Sequence, residues 1–231
     1  MAPRYAIYHV AAEDAPLTRF GATHLGYDAF AAKDLAFPPQ ATERFADWRE
    51  LTADPRKYGF HATLKAPFLL RDGASEADLV TAFERFVATA RAVPVIVPVV
   101  RAISSFIAVI PEAPVAELSQ LAADCVRDFE ELRAPLSAYD RERRLKSPLT
   151  LHQIEHLDRW GYPYVFEEFR FHMTLTGSLP TAKREIVLPF LQAEFAKLGL
   201  ATMQVGHVAI FRQAASDQRF TVLRHAPLRS A

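Results

Sequence analysis

Cysteine is nearly absent: Cys125 is the only one in 231 residues. A single thiol can build neither an internal disulfide nor a multi-cysteine zinc site, so a reducing, cytoplasmic setting is the simplest expectation. Glycine is scarce too, with eight in the chain. The dinucleotide fingerprint and the phosphate-cradling loop both need clustered glycines that let backbone N–H groups approach phosphate, and no such cluster exists, which excludes nucleotide binding by either route. Charge of one sign is also missing, since 27 Lys and Arg offset 27 Asp and Glu. A long nucleic-acid footprint is therefore not expected, while a small ligand remains open. No window of about 18 residues is apolar and uncharged enough for a membrane span, and the first residues lack the basic flank and apolar core of an export signal.

What is present is a chain with 50% hydrophobic and 11% aromatic residues, enough for a single globular unit. Residues 5–10 are β-branched and aromatic enough for a strand. Asp14 and Pro16 then resemble a helix start that the Gly21 and Gly26 region ends, and Thr42 can cap a helix carrying Phe45, Trp48 and Leu51. Residues 58–67 read as a strand. Ser75 caps a helix with Leu79, Val80, Phe83, Phe86 and Val87 at the 3.6-residue period, and two β-rich runs follow at 95–103 and 105–110. The next helix carries Leu118, Leu121, Cys125 and Val126 on one face, which makes Cys125 a core residue rather than a reactive thiol.

The same order returns near the C-terminus. A strand at 169–176 precedes a helix capped by Thr181 and carrying Pro189, then β-rich runs at 203–211 and 220–223. Each half contains the word Phe-His-x-Thr-Leu, at 60–64 and at 171–175. The aromatic of the closing hairpin, Phe106 or Phe220, follows its histidine by 45 or 48 residues. A chance recurrence rarely carries its surroundings with it. The expected fold is α+β, a two-lobed pseudo-symmetric duplication with antiparallel sheets forming a concave central cleft and helices outside. It is a single domain, with lobe one at about 1–132, an inserted connection at about 133–168 and lobe two at about 169–231. The stretch Tyr-Asp-Arg-Glu-Arg-Arg at 139–144 reads as a solvated face, and Ser147-Pro148 as the opening of a helix closed by Gly161.

On a strand, alternate side chains share a face, so His61 and Thr63 point one way while Phe60, Ala62 and Leu64 point the other. The same holds for His172 and Thr174 against Phe171, Met173 and Leu175. The in-phase neighbours are Lys65 in the first half, and Arg170 and Thr176 in the second. Two polar faces meeting across a cleft suit a phosphodiester: one neutral imidazole takes a proton from water, and the other, protonated, donates to the departing oxygen. The threonine hydroxyls can hold non-bridging oxygens, and Lys65 or Arg170 can stabilise developing charge. Such chemistry needs no metal and no other cofactor. Tyr58, Tyr162 and Tyr164 flank the motif strands and can stack on a base or bind phosphate.

Paired His-x-Thr motifs in a duplicated α+β chain of this size resemble the 2H phosphoesterase superfamily. The longer stretches at 58–68, 160–165 and 169–177 are similar to a bacterial branch labelled putative phosphonate metabolism protein, over nearly the whole chain. The resemblance implies a bilobal fold with His61, Thr63, His172 and Thr174 as catalytic positions. It also implies hydrolysis of a cyclic phosphodiester on a small ribose phosphate or nucleotide, for which a ribosyl cyclic phosphate suits phosphonate breakdown. The alternatives are an RNA 2′–5′ ligase or phosphodiesterase, for which a short RNA end would be the partner, and a non-catalytic nucleotide- or phosphate-binding module.

One further word, His152-Gln-Ile-Glu155-His156, matches the inverted zinc-peptidase pattern, with both imidazoles one helical turn apart. Leu151, Ile154 and Leu157 are expected to form the buried stripe of that helix. That leaves His152, Glu155, His156 and Arg159 on a solvated face, so no metal is expected there.

Overall fold

Residues 2–231 are described by a computed structural model. Seven strands form one sheet: β1 (Arg4–His9), β2 (Ala62–Leu69), β3 (Pro98–Ile103), β4 (Phe106–Pro111), β5 (Met173–Thr174), β6 (His207–Gln213) and β7 (Thr221–Pro227). Their spatial order is β7-β6-β1-β2-β5-β4-β3, and every neighbouring pair is antiparallel. The expected α+β antiparallel architecture is thus present, with the sheets of the two halves joined edge to edge through β2 and β5. The halves are not laid side by side as contiguous stretches. The β3–β4 hairpin follows the first motif in sequence yet pairs with β5, while the β6–β7 hairpin follows the second motif and pairs with β1, beside β2. Each motif strand is flanked on its outer side by residues distant from it in the chain, and this interlocks the two halves.

Among the described residues, six helices of eight or more residues accompany the sheet: α1 (Pro16–Leu25), α2 (Glu76–Ala88), α3 (Ala116–Asp128), α4 (Ala138–Leu145), α5 (Leu151–Trp160) and α6 (Thr181–Ala196). Apolar faces of α1, α2, α3 and α6 bury Leu17, Phe20, Leu79, Phe83, Leu121, Cys125, Phe190 and Leu191 against Ile7, Ala62, Leu64, Ile107, Val109 and Met173 of the sheet. Burial raises the Cys125 thiol pKa, in keeping with a packed core thiol. A smaller cluster of Tyr8, Tyr27, Phe211 and Phe220 packs elsewhere. Among the described residues, no helix is long and apolar enough to cross a membrane.

Local chemistry sets the helix ends. Ser75 caps α2, as the sequence suggests, and Asp78 completes a capping box with it. On α5 the cap is Thr150 with Gln153 rather than Ser147-Pro148, and Gly161 closes the helix in the left-handed region at φ 73°. Thr42 lies inside a short helix, Pro39–Arg44, rather than capping one. Thr181 is the first helical residue of α6 and caps nothing. The 169–176 strand shrinks to the two ladder residues of β5. Gly21 sits within α1 rather than ending it: a Cβ there would lie 1.9 Å from the Phe60 ring, so glycine lets α1 approach the first motif.

Candidate active site

The central pairing aligns the two motifs. Ala62 of β2 is the ladder partner of Met173 of β5. Both side chains are fully buried in the core, so the residues on either side of each point to the opposite face. In an antiparallel ladder this register sets His61 opposite Thr174 and Thr63 opposite His172. The two histidines, each just ahead of its strand, are close enough for His172 to repel positive charge on His61. All four side chains line one cleft of about 560 Å³.

The histidines are held in matching ways. His61 Nδ1 lies 2.9 Å from the Gly59 carbonyl oxygen, and His172 Nδ1 lies 2.7 Å from the Arg170 carbonyl oxygen. A carbonyl can only accept, so each Nδ1 carries the proton and donates it, which leaves Nε2 as the basic nitrogen on both rings. The Thr63 hydroxyl is 3.3 Å from His61 Nε2 and donates to it. Tyr8 of β1 stacks on the His61 ring with centroids 3.8 Å apart and planes at 20°, while Phe106 of β4 tilts against His172 at 5.6 Å. Each outer neighbour of a motif strand thus supplies the aromatic that backs its histidine. Desolvation pulls the pKa of His61 down to about 4, with a smaller contribution from repulsion by His172. Desolvation also lowers that of His172. With no anion bound, both rings are neutral at neutral pH.

Of the substrate-binding expectations, Tyr58 and Tyr164 line the cleft, as does Tyr162. Tyr58 stacks on Phe220 with planes at 19°, and Tyr164 meets Tyr162 edge-on. Lys65 does not reach the cleft. The β1–β2 register shifts at Ile7, where Tyr8 pairs with Thr63 but Ile7 pairs with Lys65. One extra residue on β2 breaks the period-two alternation and turns Lys65 to the core side. There it is 4% exposed; its Nζ donates to the Val126 carbonyl at 2.8 Å and to Glu130 at 2.7 Å. Arg170 is exposed and borders a neighbouring recess rather than the cleft itself. Thr176 lines the cleft, but its hydroxyl is committed: it accepts from the Ile107 amide at 3.0 Å and donates to the Gly177 carbonyl at 2.9 Å.

The cations that do reach the cleft are Arg4 of β1 and Arg143 and Arg144 of α4. The last two belong to the stretch expected to be a solvated face. Arg143 is paired with Asp140 at 3.0 Å. The Arg144 guanidinium lies over the Tyr162 ring at 4.9 Å, and its Nε is buried without a hydrogen-bond partner. Burial lowers its pKa. Charge periodicity on a polar helix could not disclose this, because which face of α4 meets the cleft depends on tertiary packing.

The α5 helix also departs from expectation. Leu151 is 82% exposed and His156 is 8% exposed, so the helix is rotated relative to the stripe of Leu151, Ile154 and Leu157, of which only Leu157 is fully buried.

Fold and site together define an α+β protein with two His-x-Thr motifs brought together on one antiparallel sheet. The model of the family described as protein of unknown function DUF1045 matches residues 63–221, and the chain belongs to that family. It is 37% identical over 190 residues to a protein of Janthinobacterium sp. (strain Marseille) named ribose 1,5-bisphosphate phosphokinase PhnN, covering 82% of this chain and 42% of that one. It is 34% identical over 221 residues to a protein of the same name from Laribacter hongkongensis (strain HLHK9), covering 96% and 51%. The chain thus spans about half the length of the curated relatives it matches, or less. Among solved structures, E. coli LigT complexed with 3′-AMP aligns over 100% of both chains at a TM-score of 0.41 and 13% identity.

Proposed function

We propose that the chain is a metal-independent phosphoesterase that opens a cyclic phosphodiester on a small ribose phosphate or nucleotide, with His61 and His172 as the acid–base pair. The observation that carries this assignment is the Ala62–Met173 register, which turns both His-x-Thr words onto one cleft with each Nε2 facing away from its backbone tether. One neutral Nε2 takes a proton from water as the water oxygen bonds to phosphorus. The second imidazole, protonated when the anion binds, gives its proton to the departing ribose oxygen as that P–O bond breaks. The ring opens to a monoester, and proton exchange with solvent resets the pair. Thr63 and Thr174 hydrogen-bond the non-bridging oxygens. Arg4, Arg143 and Arg144 make the cleft attractive to phosphate, while Tyr58, Tyr162 and Tyr164 offer faces for a sugar or base.

The curated relatives are named for phosphorylation of a ribose bisphosphate. This chain lacks the clustered glycines of a phosphate-cradling loop. We therefore assign the kinase activity to the part of those relatives that this chain does not match, and a ribose phosphate substrate to both parts. Opening a ribosyl 1,2-cyclic phosphate at O2 leaves a ribose 1-phosphate, which belongs to that class and fits a role in phosphonate metabolism. The lone, buried Cys125 suits a cytoplasmic location.

The test is a chelator-containing assay of ribosyl 1,2-cyclic phosphate, nucleoside 2′,3′-cyclic phosphates and a short 2′–5′ linked oligonucleotide. Ring opening of the first is expected, with loss of about 10²–10⁴-fold in His61→Ala or His172→Ala. Failure to cleave any of the three would overturn the assignment. Cleavage of the 2′–5′ linkage alone would move it to RNA ends.

A further inference from the structure

We propose that His152, His156 and Glu167 form a binding site for one divalent transition metal of the zinc class, outside the catalytic cleft, that fastens the 161–165 segment carrying Tyr162 and Tyr164. From sequence, two histidines at i and i+4 on a polar helix are an ordinary solvated pair. Two features of the structure change that. The rotation of α5 buries His156, and a single 3-10 turn, Phe166–Glu168, folds back so that Glu167 joins the two imidazoles.

One donor atom from each of the three residues lies within 4.8 Å of the others. His156 Nε2 is 3.4 Å from Glu167 Oε1, too long for a good hydrogen bond. It is close to the separation of about 3.3 Å that two ligands adopt on a tetrahedral zinc with bonds of about 2.0–2.1 Å. His152 Nε2 contacts the same carboxylate oxygen, and Glu167 is exposed enough at 57% to swing clear for an ion between them. Around His152 the atoms are arranged as a metal site needs. Glu155 Oε2 sits 3.3 Å from His152 Nδ1, so a carboxylate can take the Nδ1 proton's hydrogen bond and leave Nε2 as the ligand, the usual outer partner of a metal-bound histidine. In this site Glu155 orients a ligand, whereas in the inverted peptidase word it would be the base. His156 Nδ1 is buried with no partner, so hydrogen bonding alone does not account for the placement of that ring.

The nearby cations do not neutralise Glu167. Arg127 lies over the Phe166 ring and Arg159 over the Trp160 ring, each at 4.9 Å. Two neutral imidazoles and one carboxylate leave a net negative site for a dication, with a fourth position for water. An ion bridging α5 to Glu167 would close the loop between His156 and Glu167, and that loop delivers Tyr162 and Tyr164 to the cleft. The ion would act on structure, since none of its three ligands lines the cleft.

The experiment uses the full chain without an affinity tag, stripped with chelator and then titrated with Zn²⁺ by calorimetry and with Co²⁺ by visible absorption. One ion per chain is expected, with the ligand-field bands of a four- or five-coordinate cobalt site and slowed amide exchange across 161–167. Glu167→Gln, a surface change, should weaken binding by at least about tenfold, and His156→Gln should weaken it further. The double variant H207Q/H225Q removes the other close imidazole pair, stacked at 5.0 Å, and should leave binding unchanged. No uptake at micromolar zinc, or uptake unaffected by Glu167→Gln, would overturn the site. None of these readouts involves turnover, so the outcome is independent of the catalytic assignment.

Discussion

Ala62 and Met173, 111 positions apart in the chain, face one another across the middle of the sheet, and this single ladder pair aligns the two His-x-Thr words. Both side chains point into the core, so packing on one face fixes which side chains appear on the other. A slip of one residue would send a histidine into the apolar layer, and the hydrophobic pattern opposes it.

If His61 and His172 act on one phosphorus, as proposed, they should behave as a unit. Replacing either by Gln removes one proton transfer and should lower kcat by about 10²–10⁴-fold. The double variant should be little worse than the poorer single one, because the remaining imidazole has no partner with which to complete the reaction. Single-turnover kinetics on the three variants check this. Losses that multiply would mean that the two residues act independently.

The pH dependence follows from the direction of both shifts. The proposed acid–base mechanism needs one proton on the pair, and in the free protein burial pulls His61 to about 4 and also lowers His172. The singly protonated state is therefore most populated below the ordinary histidine value of about 6.5. The expected kcat/KM profile is a bell centred on the acid side of 6.5 that falls toward alkaline pH. Bound phosphate favours the imidazolium form, so the kcat profile should lie at higher pH than the kcat/KM profile. Steady-state profiles of both parameters test this, and a kcat/KM that keeps rising above neutrality would contradict it.

The repeated His-x-Thr words, the strand–helix–hairpin order and the antiparallel α+β class were legible in the sequence because each rests on local periodicity and on similarity between the halves. Lys65 was not, because alternation assumes a regular strand and the extra residue opposite Ile7 and Tyr8 is invisible to a period-two pattern. The Arg143 and Arg144 side of the cleft was hidden for a different reason. A polar helix reads as solvated unless the opposing wall is known, and here that wall comes from β1, β2 and the 161–165 segment. The hairpin exchange lies beyond local signals altogether, since strand order is a property of long-range pairing.

Lys65 separates structure from substrate binding. Its ammonium is buried between the Val126 carbonyl and Glu130, and Glu130 also pairs with Arg133 at 2.7 Å. Lys65→Met keeps most of the side-chain volume but removes two hydrogen bonds to buried or half-buried acceptors. The cost should be about 1–3 kcal/mol of stability, with KM unchanged. Denaturant unfolding alongside kinetics checks this, and a raised KM at unaltered stability would return Lys65 to the cleft.

Arg144 should behave in the opposite way. Its guanidinium rests on Tyr162 and, among the described residues, makes no ion pair and leaves Nε without a partner at the cleft wall. A phosphate oxygen is the group that would satisfy that donor, and a charge-assisted hydrogen bond of this kind is worth about 1.5–3 kcal/mol. Arg144→Gln should therefore raise KM by roughly 10–100-fold, while kcat falls little because the contact is made equally in the bound substrate and the transition state. Arg144→Lys keeps the charge but loses the fork, and should recover only part of the affinity. Isothermal titration with a non-hydrolysable phosphate analogue isolates the binding step. Equal affinity in the parent protein and Arg144→Gln would show that the guanidinium serves only to pack against Tyr162.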